Sequence, residues 1–332
     1  MRRSLVMSRV GSRIGMRFIG SFCLSAALLL HAVNPAAGDP DTIQRLQRMA
    51  RALETVNYEG TVVYLHDNRL ETLHIAHRVE HGRVLEKLIS LNGPPRSVTR
   101  EMDQVTCEFP HAQTLSVKRR VLGQNLLAAR AIDPEALSEH YTLHLLGNAR
   151  VAGRHTDVVG IIPTDHYRYG YRFFLDRESG LPLKFDLIGQ EVEPILQIMF
   201  TSLTLLPPSG YPAEVTPEVS LEATTVPEKR SNQTSWRLEG LPPGFRLIMH
   251  DGWQDDQGVY IEHFLVSDGL ASVSLYIESG QSAGLAGSSR IGAVHAAGAI
   301  VAGHQVTVVG EVPEMTIAAV MASIAFAGDT ND

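Results

Sequence analysis

The chain has 332 residues, a formal net charge of −7 and 44% hydrophobic residues. That length and apolar content exclude an unstructured polymer and allow one large or two ordinary domains, each with its own core. The acidic balance excludes non-specific nucleic-acid binding and opposes long-range attraction to anionic lipid headgroups.

Arg2, Arg3, Arg9, Arg13 and Arg17 precede an apolar stretch from Phe18 to Val33, which runs through Asn34-Pro35 into Ala36-Ala37-Gly38. Positive, then apolar, then small is the order of a secretory signal peptide. The apolar stretch is shorter than the roughly 20 residues a membrane-spanning helix needs. Cleavage is therefore expected after Gly38, the alternative being an uncleaved anchor. Met16 would begin a more compact signal. Cys23 sits inside the apolar core without a preceding run of small residues, which argues against a lipoprotein cysteine. Residues 1–38 hold five arginines and no acidic residue, so the remainder sets 24 Lys and Arg against 36 Asp and Glu, a charge of −12. In that remainder Lys118-Arg119-Arg120 is the only dense basic run and reads as a solvated turn. Cys107 is the single remaining cysteine, so no intramolecular disulfide is expected. It alternates in step with Val105 and Phe109, and burial is its ordinary reading.

Thr42 to Val56 is expected to be helical. Ile43, Leu46, Met49, Ala50, Leu53 and Val56 form one stripe at steps of three and four, with Asp41 or Thr42 as cap. From Tyr58 the period becomes two. Leu73, Ile75 and Val79 alternate with Thr72, His74, Ala76 and Arg78, and Leu85, Ile89 and Leu91 are placed on one face against Glu86, Leu88 and Ser90. Further on, Tyr169, Tyr171, Phe173 and Leu175 alternate. A turn at 176–180 follows, then strands over Pro182 to Gln190 and Ile195 to Leu205. Strands joined by turns without intervening helices indicate an antiparallel sheet, and one helix against it an α+β domain. Prolines at 207, 208, 212, 217 and 227 mark a candidate linker. Strands resume over Trp236 to Glu239, Phe245 to His250, Tyr260 to Ser267, Ala271 to Glu278 and Gln305 to Val309, before a closing helix over Pro313 to Ala325.

Gly280-Gln281-Ser282-Ala283-Gly284 matches G-x-S-x-G, but a nucleophile elbow needs a helix straight after it. Leu285-Ala286-Gly287-Ser288-Ser289 instead reads as a flexible loop. Thirteen histidines follow residue 38 without metal-ligand spacing: His74 and His77 fall on opposite strand faces, His77 and His81 flank a turn at Gly82, and His140 and His144 lack a third ligand. Neither metal nor cofactor is expected, nor is a nucleotide, because no glycine-rich loop follows a strand. Asn232-Gln233-Thr234 is a chance-level glycosylation triplet. This pattern suits a binding or regulatory protein better than an enzyme.

Several stretches resemble the MucB/RseB family. They are Asn57-Tyr58-Glu59-Gly60-Thr61-Val62-Val63-Tyr64 with Leu70-Glu71-Thr72, His77 to Gly82, Ser90 to Arg96, and Tyr169-Gly170-Tyr171-Arg172 with Leu175-Asp176 and Ser179 to Leu183. Val266 to Ser274 and Val306 to Pro313 continue the likeness. In order, they span nearly all of the chain after residue 38. The resemblance implies a periplasmic negative regulator of the sigma-E (AlgU-type) envelope-stress response. Such a protein binds the periplasmic domain of an inner-membrane anti-sigma factor (RseA/MucA type) and shields it from the site-1 protease, with lipopolysaccharide as the releasing signal. It implies a LolA-like, half-open β-barrel domain with a helix at its mouth and a smaller α+β C-terminal domain. The division expected is signal 1–38, large domain 39–205, linker 206–230 and small domain 231–328, with residues 206–216 letting the domains change relative angle.

A curved antiparallel sheet can enclose an apolar cavity. Leu73, Ile75, Ile89, Leu91, Tyr171, Phe173 and Phe200 are assigned inward as lipid-facing, the ordinary alternative for each being a filled core. Trp253 and Tyr260 are candidate exposed anchors for the partner, while Trp236 could equally be core. The competing functions are a periplasmic lipid or lipoprotein carrier and, on Ser282, an exported hydrolase.

Overall fold

The computed structural model describes residues 39–80, 83–93, 97–101, 104–108, 115–118, 133–189, 193–207, 234–255, 258–280 and 284–326. Outside them lie the expected signal peptide and Met16, His81 and Gly82, Pro94 and Pro95, Arg119 and Arg120, most of the expected linker, Asn232 and Gln233, and Ser282. The side chain of Cys107 lies outside them too.

The order is α1 (Pro40–Thr55), β1 (Asn57–His66), β2 (Arg69–Glu80), β3 (Arg83–Ser90), β4 (Ser97–Glu101), β5 (Gln104–Glu108), β6 (Leu115–Lys118), α2 (Pro134–Leu137), β7 (Tyr141–Val151), β8 (Arg154–Pro163), β9 (Gly170–Asp176), β10 (Pro182–Ile188) and β11 (Pro194–Leu206). Then come β12 (Trp236–Leu238), β13 (Arg246–Gln254), β14 (Tyr260–Ser267), β15 (Ser272–Glu278), β16 (Gly287–Ile291), β17 (Val294–Val301), β18 (His304–Gly310), α3 (Glu314–Ala322) and β19 (Ile324–Phe326).

Eleven strands form one antiparallel sheet in the order β6-β5-β4-β3-β2-β1-β11-β10-β9-β8-β7. Its two edges, β6 and β7, are not paired to each other, so the sheet is half-open rather than closed. Register shifts at Thr61/Val62 and Leu145/Gly147 bend it, as bulges do. Helix α1 lays Leu46, Met49, Ala52 and Leu53 into the same core as Tyr58, Ile75, Phe173 and Phe200. It begins two residues earlier than the periodicity suggests, because Pro40 occupies the first turn and Asp39 is the N-cap. The Asp39 carboxylate accepts from the Asp41 N–H and the Thr42 hydroxyl, both at 3.3 Å. Pro at the first helical position loses no bond the helix would have made. Arg45 and Arg48 clip α1 to the sheet. Arg45 donates to Asp157 at 3.0 Å, and Arg48 to the carbonyls of Arg177 and Glu178 at 2.9 and 2.5 Å. Burial raises the Asp157 carboxyl's pKa, but hydrogen bonds from Arg45 and Arg177 outweigh it and hold the group below the usual carboxylate range.

A second, six-stranded sheet runs β13-β14-β15-β18-β17-β16, and a two-stranded ribbon pairs β12 with β19. One sheet face presents Phe264, Val266, Val273, Leu275, Ile277, Val306 and Val308 to Ile317 and Val320 of α3 and to Trp236 of the ribbon. The closing helix is shorter than expected, since residues 324–326 leave it to pair with 236–238.

Candidate functional site

Directly opposed residues of an antiparallel pair share a face, so the register decides what lines the concave side. Tyr58 opposes His77, and His77 opposes Glu86; in the next row Gly60, Ile75 and Leu88 align. Val62 aligns with Leu73 on one side and Phe200 on the other, and Leu73 with Ser90. Across the sheet Phe173 and Tyr171 oppose Phe185 and Leu187. Gly60 is required here. A Cβ on it would come within 2.2 Å of the Ser202 carbonyl and 3.1 Å of the Phe200 ring.

Five of the seven assigned residues therefore share one apolar body. Ile75, Phe173 and Phe200 are buried, and Leu73 and Tyr171 pack against them half-buried. The rings of Phe173 and Phe185 lie 5.2 Å apart, and those of Tyr171 and Phe185 5.9 Å apart. Ile89 and Leu91 are not part of it. Ile89 opposes His74, which points away from the core, and Ile89 and Leu91 are 36% and 56% exposed. The inward parity of β3 belongs to Glu86, Leu88 and Ser90. Alternation put the more apolar set inside, and the register reverses it because the inner face carries a buried carboxylate. Glu86 Oε2 stands 3.6 Å from His77 Nδ1, with the two side chains 2% and 0% exposed. The His77 ring stacks on Tyr58 at 4.8 Å and 5°. Sequence reasoning missed this pair. The family-like blocks held Tyr58 and His77, but nothing in the spacing marked Glu86 as buried.

In the small-sheet half Trp236, on the ribbon, is core, 4% exposed. Trp253 and Tyr260 are half-buried rather than exposed. Trp253 meets His263 edge-on at 6.3 Å, and the Tyr260 hydroxyl sits over Gly252, where a Cβ would be 2.2 Å away. Among the described residues no group of three His, Cys, Asp or Glu side chains is placed to hold a metal ion. The G-x-S-x-G stretch is followed by strand β16, not by the helix a nucleophile elbow requires.

The two sheets meet at a buried junction. Leu270 and Ala293 of the small-sheet half belong to the large core, and Tyr167 of the large-sheet half packs on the small core. The Tyr169 hydroxyl lies 3.3 Å from His295 Nδ1 and 3.4 Å from the Ala293 carbonyl. Burial raises the Tyr169 and Tyr64 hydroxyls to about 12, with Glu311 adding to the shift in both. Burial also raises Tyr171 well above its ordinary value, helped by Asp268 and Glu311. Glu311 itself, just after β18, is pushed up to about 7 by burial.

A family model described as the MucB/RseB N-terminal domain matches residues 41–228, and one described as the MucB/RseB C-terminal domain matches residues 230–325. The chain belongs to the MucB/RseB family. The sigma factor AlgU regulatory protein MucB of Pseudomonas aeruginosa is 32% identical over 303 residues, 87% of this chain and 92% of that protein. The sigma-E factor regulatory protein RseB of Escherichia coli K12 is 25% identical over 301 residues, 90% and 94% of the two chains. A chain of the Pseudomonas aeruginosa MucA/MucB complex superposes with a TM-score of 0.67 at 31% identity, covering 86% of this chain and 99% of that one. A crystal structure of MucB gives a TM-score of 0.63 at 32% identity, covering 86% and 98%. These MucB/RseB relatives are sigma-factor regulators by name.

Proposed function

We propose that this protein is exported, loses residues 1–38 and acts in the periplasm as a negative regulator of a sigma-E type envelope-stress response. It binds the periplasmic domain of an inner-membrane anti-sigma factor and shields it from regulated proteolysis. The observation that carries this reading is the collinear match of both family models along one chain, together with the likeness to MucB as it occurs in the MucA/MucB complex. In this reading the large domain spans 39–205, the linker 206–230 and the small domain 231–328. Trp253 and Tyr260 stand as candidate anchors for the partner on the small sheet.

An acylated ligand such as lipopolysaccharide is the releasing signal in this reading, and Leu73, Ile75, Tyr171, Phe173 and Phe200 are its apolar contacts. The support is their shared face and the helix that covers it. Acyl entry exchanges contacts with Leu46, Met49 and Leu53 for contacts with lipid. Each apolar Å² kept from water contributes roughly 25 cal/mol, so several side chains suffice for useful affinity. The same apolar face favours a second reading, a periplasmic lipid or lipoprotein carrier.

The deciding experiment is binding of residues 39–332 to the periplasmic segment of the host's anti-sigma factor, with and without lipopolysaccharide. Tight binding that the lipid reverses is the expected result. No binding to that segment, with acylated ligands still bound, replaces the regulator by the carrier.

A further inference from the structure

Arg168 has partners in both halves of the junction. It leaves the connection between β8 and β9 and is 3% exposed. One guanidinium nitrogen donates to Asp165 at 2.6 Å, and another donates to the Pro243 carbonyl in the loop before β13. Its Nε stands 2.8 Å from Asp268 Oδ2 as an ion pair rather than an aligned hydrogen bond. The guanidinium carbon lies 5.5 Å from the centre of the Tyr141 ring and 5.2 Å from that of Phe245. The Tyr141 hydroxyl donates to the same Asp268 oxygen at 2.8 Å. Asp268 in turn accepts the N–H groups of Leu270 and Ala271, at 2.9 and 2.7 Å, and so shapes the turn between β14 and β15.

Asp165, Arg168 and Tyr141 belong to the large-sheet half, and Pro243, Phe245 and Asp268 to the small-sheet half. Breaking a buried charge pair costs several kcal/mol, and parting the halves takes from Asp268 both Arg168 and the Tyr141 hydroxyl while leaving Arg168 only Asp165. We infer that the Arg168–Asp268–Tyr141 node couples the two sheets, so that they unfold and reorient as one body rather than as two domains free to change angle. The node also touches the aromatic face. The rings of Tyr141 and Tyr171 are 6.4 Å apart, so a change at that face reaches Asp268 through a single side chain. This inference does not depend on the proposed partner or lipid.

The molecule carries its own reporter. Its two tryptophans, Trp236 and Trp253, both lie in the small-sheet half. Urea unfolding of residues 39–332 followed by tryptophan fluorescence therefore reads that half, while far-UV circular dichroism reads both. Coincident transitions are the mark of one cooperative unit. For the unaltered protein the two curves are expected to coincide. Tyr141→Phe removes one hydroxyl from the node and leaves its packing. Arg168→Met with Asp268→Asn removes both charges and keeps an oxygen for the Leu270 and Ala271 N–H groups. In both variants the fluorescence and dichroism midpoints are expected to separate, more so in the double variant. Midpoints that stay coincident in both variants overturn the inference, as do curves that already separate in the unaltered protein. If the double variant does not fold, Tyr141→Phe decides the matter alone.

Discussion

Glu311→Gln tests whether the junction stores an unfavourable charge. The carboxyl is partly buried, close enough to Tyr64, Tyr169 and Tyr171 to raise their hydroxyls, and its own value stands at about 7 against an ordinary 4.5. The folded state therefore holds this proton more tightly than the unfolded chain does. Below pH 4.5 both states are protonated and the contribution is fully present. As pH rises towards 7 the unfolded chain ionises first and stability falls, and above 7 the loss is complete. A displacement of this size corresponds to ~3 kcal/mol, or about 2 once partial contact with water is allowed for. The tyrosines that Glu311 reaches face other charged and titratable groups, Tyr64 meeting Glu71, Asp67 and His66 and Tyr169 meeting Arg290 and His295, so the readout must be a difference. Urea stability is measured for both proteins at pH 5 and pH 8. The glutamine variant is expected to match the unaltered protein at pH 5 and to exceed it by about 2 kcal/mol at pH 8. Equal stability at pH 8, or a glutamine advantage that shrinks as pH rises, refutes the reasoning.

The register of β3 predicts that Ile89→Lys changes stability by no more than about 0.5 kcal/mol, as an exposed substitution should. Leu88→Lys, which places a charge on the inner face, is expected to cost several times more in the same urea titration. Gly60→Ala forces the Ser202 carbonyl or the Phe200 ring to move and is expected to cost ~1–3 kcal/mol, read as a lower thermal midpoint. Binding of an acylated fluorescent probe to residues 39–332 is expected to persist in high salt, because the contact is apolar and the chain carries net negative charge. Loss of the probe at modest salt would count against the acyl-led mode.

Much of this architecture is legible in sequence, for reasons that also explain the gaps. The stripe Leu46, Met49, Leu53 has one helical solution, and the aromatic alternation from Tyr169 to Leu175 has one strand solution. Strands β7 and β8 escaped because their turn is Ala152-Gly153, with both residues at positive φ (47° and 78°). Such two-residue turns are normally announced by Asn-Gly or Asp-Gly. Ala302-Gly303 hides the turn between β17 and β18 in the same way. Strand β16 is Gly-Ser-Ser-Arg-Ile and lacks the β-branched alternation that marks a strand. The wrong face of β3 arose because hydrophobic counting cannot foresee that Glu86 is buried beside His77. The role of Arg168 was invisible because its partners across the junction lie 75 and 100 positions further on, and only the fold brings that proline carbonyl and aspartate to it.

The central seam of the large sheet has a temporal meaning. β1 pairs with β2 on one side and with β11 on the other, and the contact between Thr61 and Ser202 spans 141 positions. A chain that emerges amino end first makes the β1–β6 meander early, with one flank of β1 bare. That flank is the kind of unpaired edge that recruits foreign strands, and pairings of such long sequence separation form slowly. Completion of the sheet waits for residues 194–206. Until they arrive, the nascent protein depends on dilution or on a chaperone to keep β1 unpaired, and the last strand of the large sheet sets the moment at which that hazard ends.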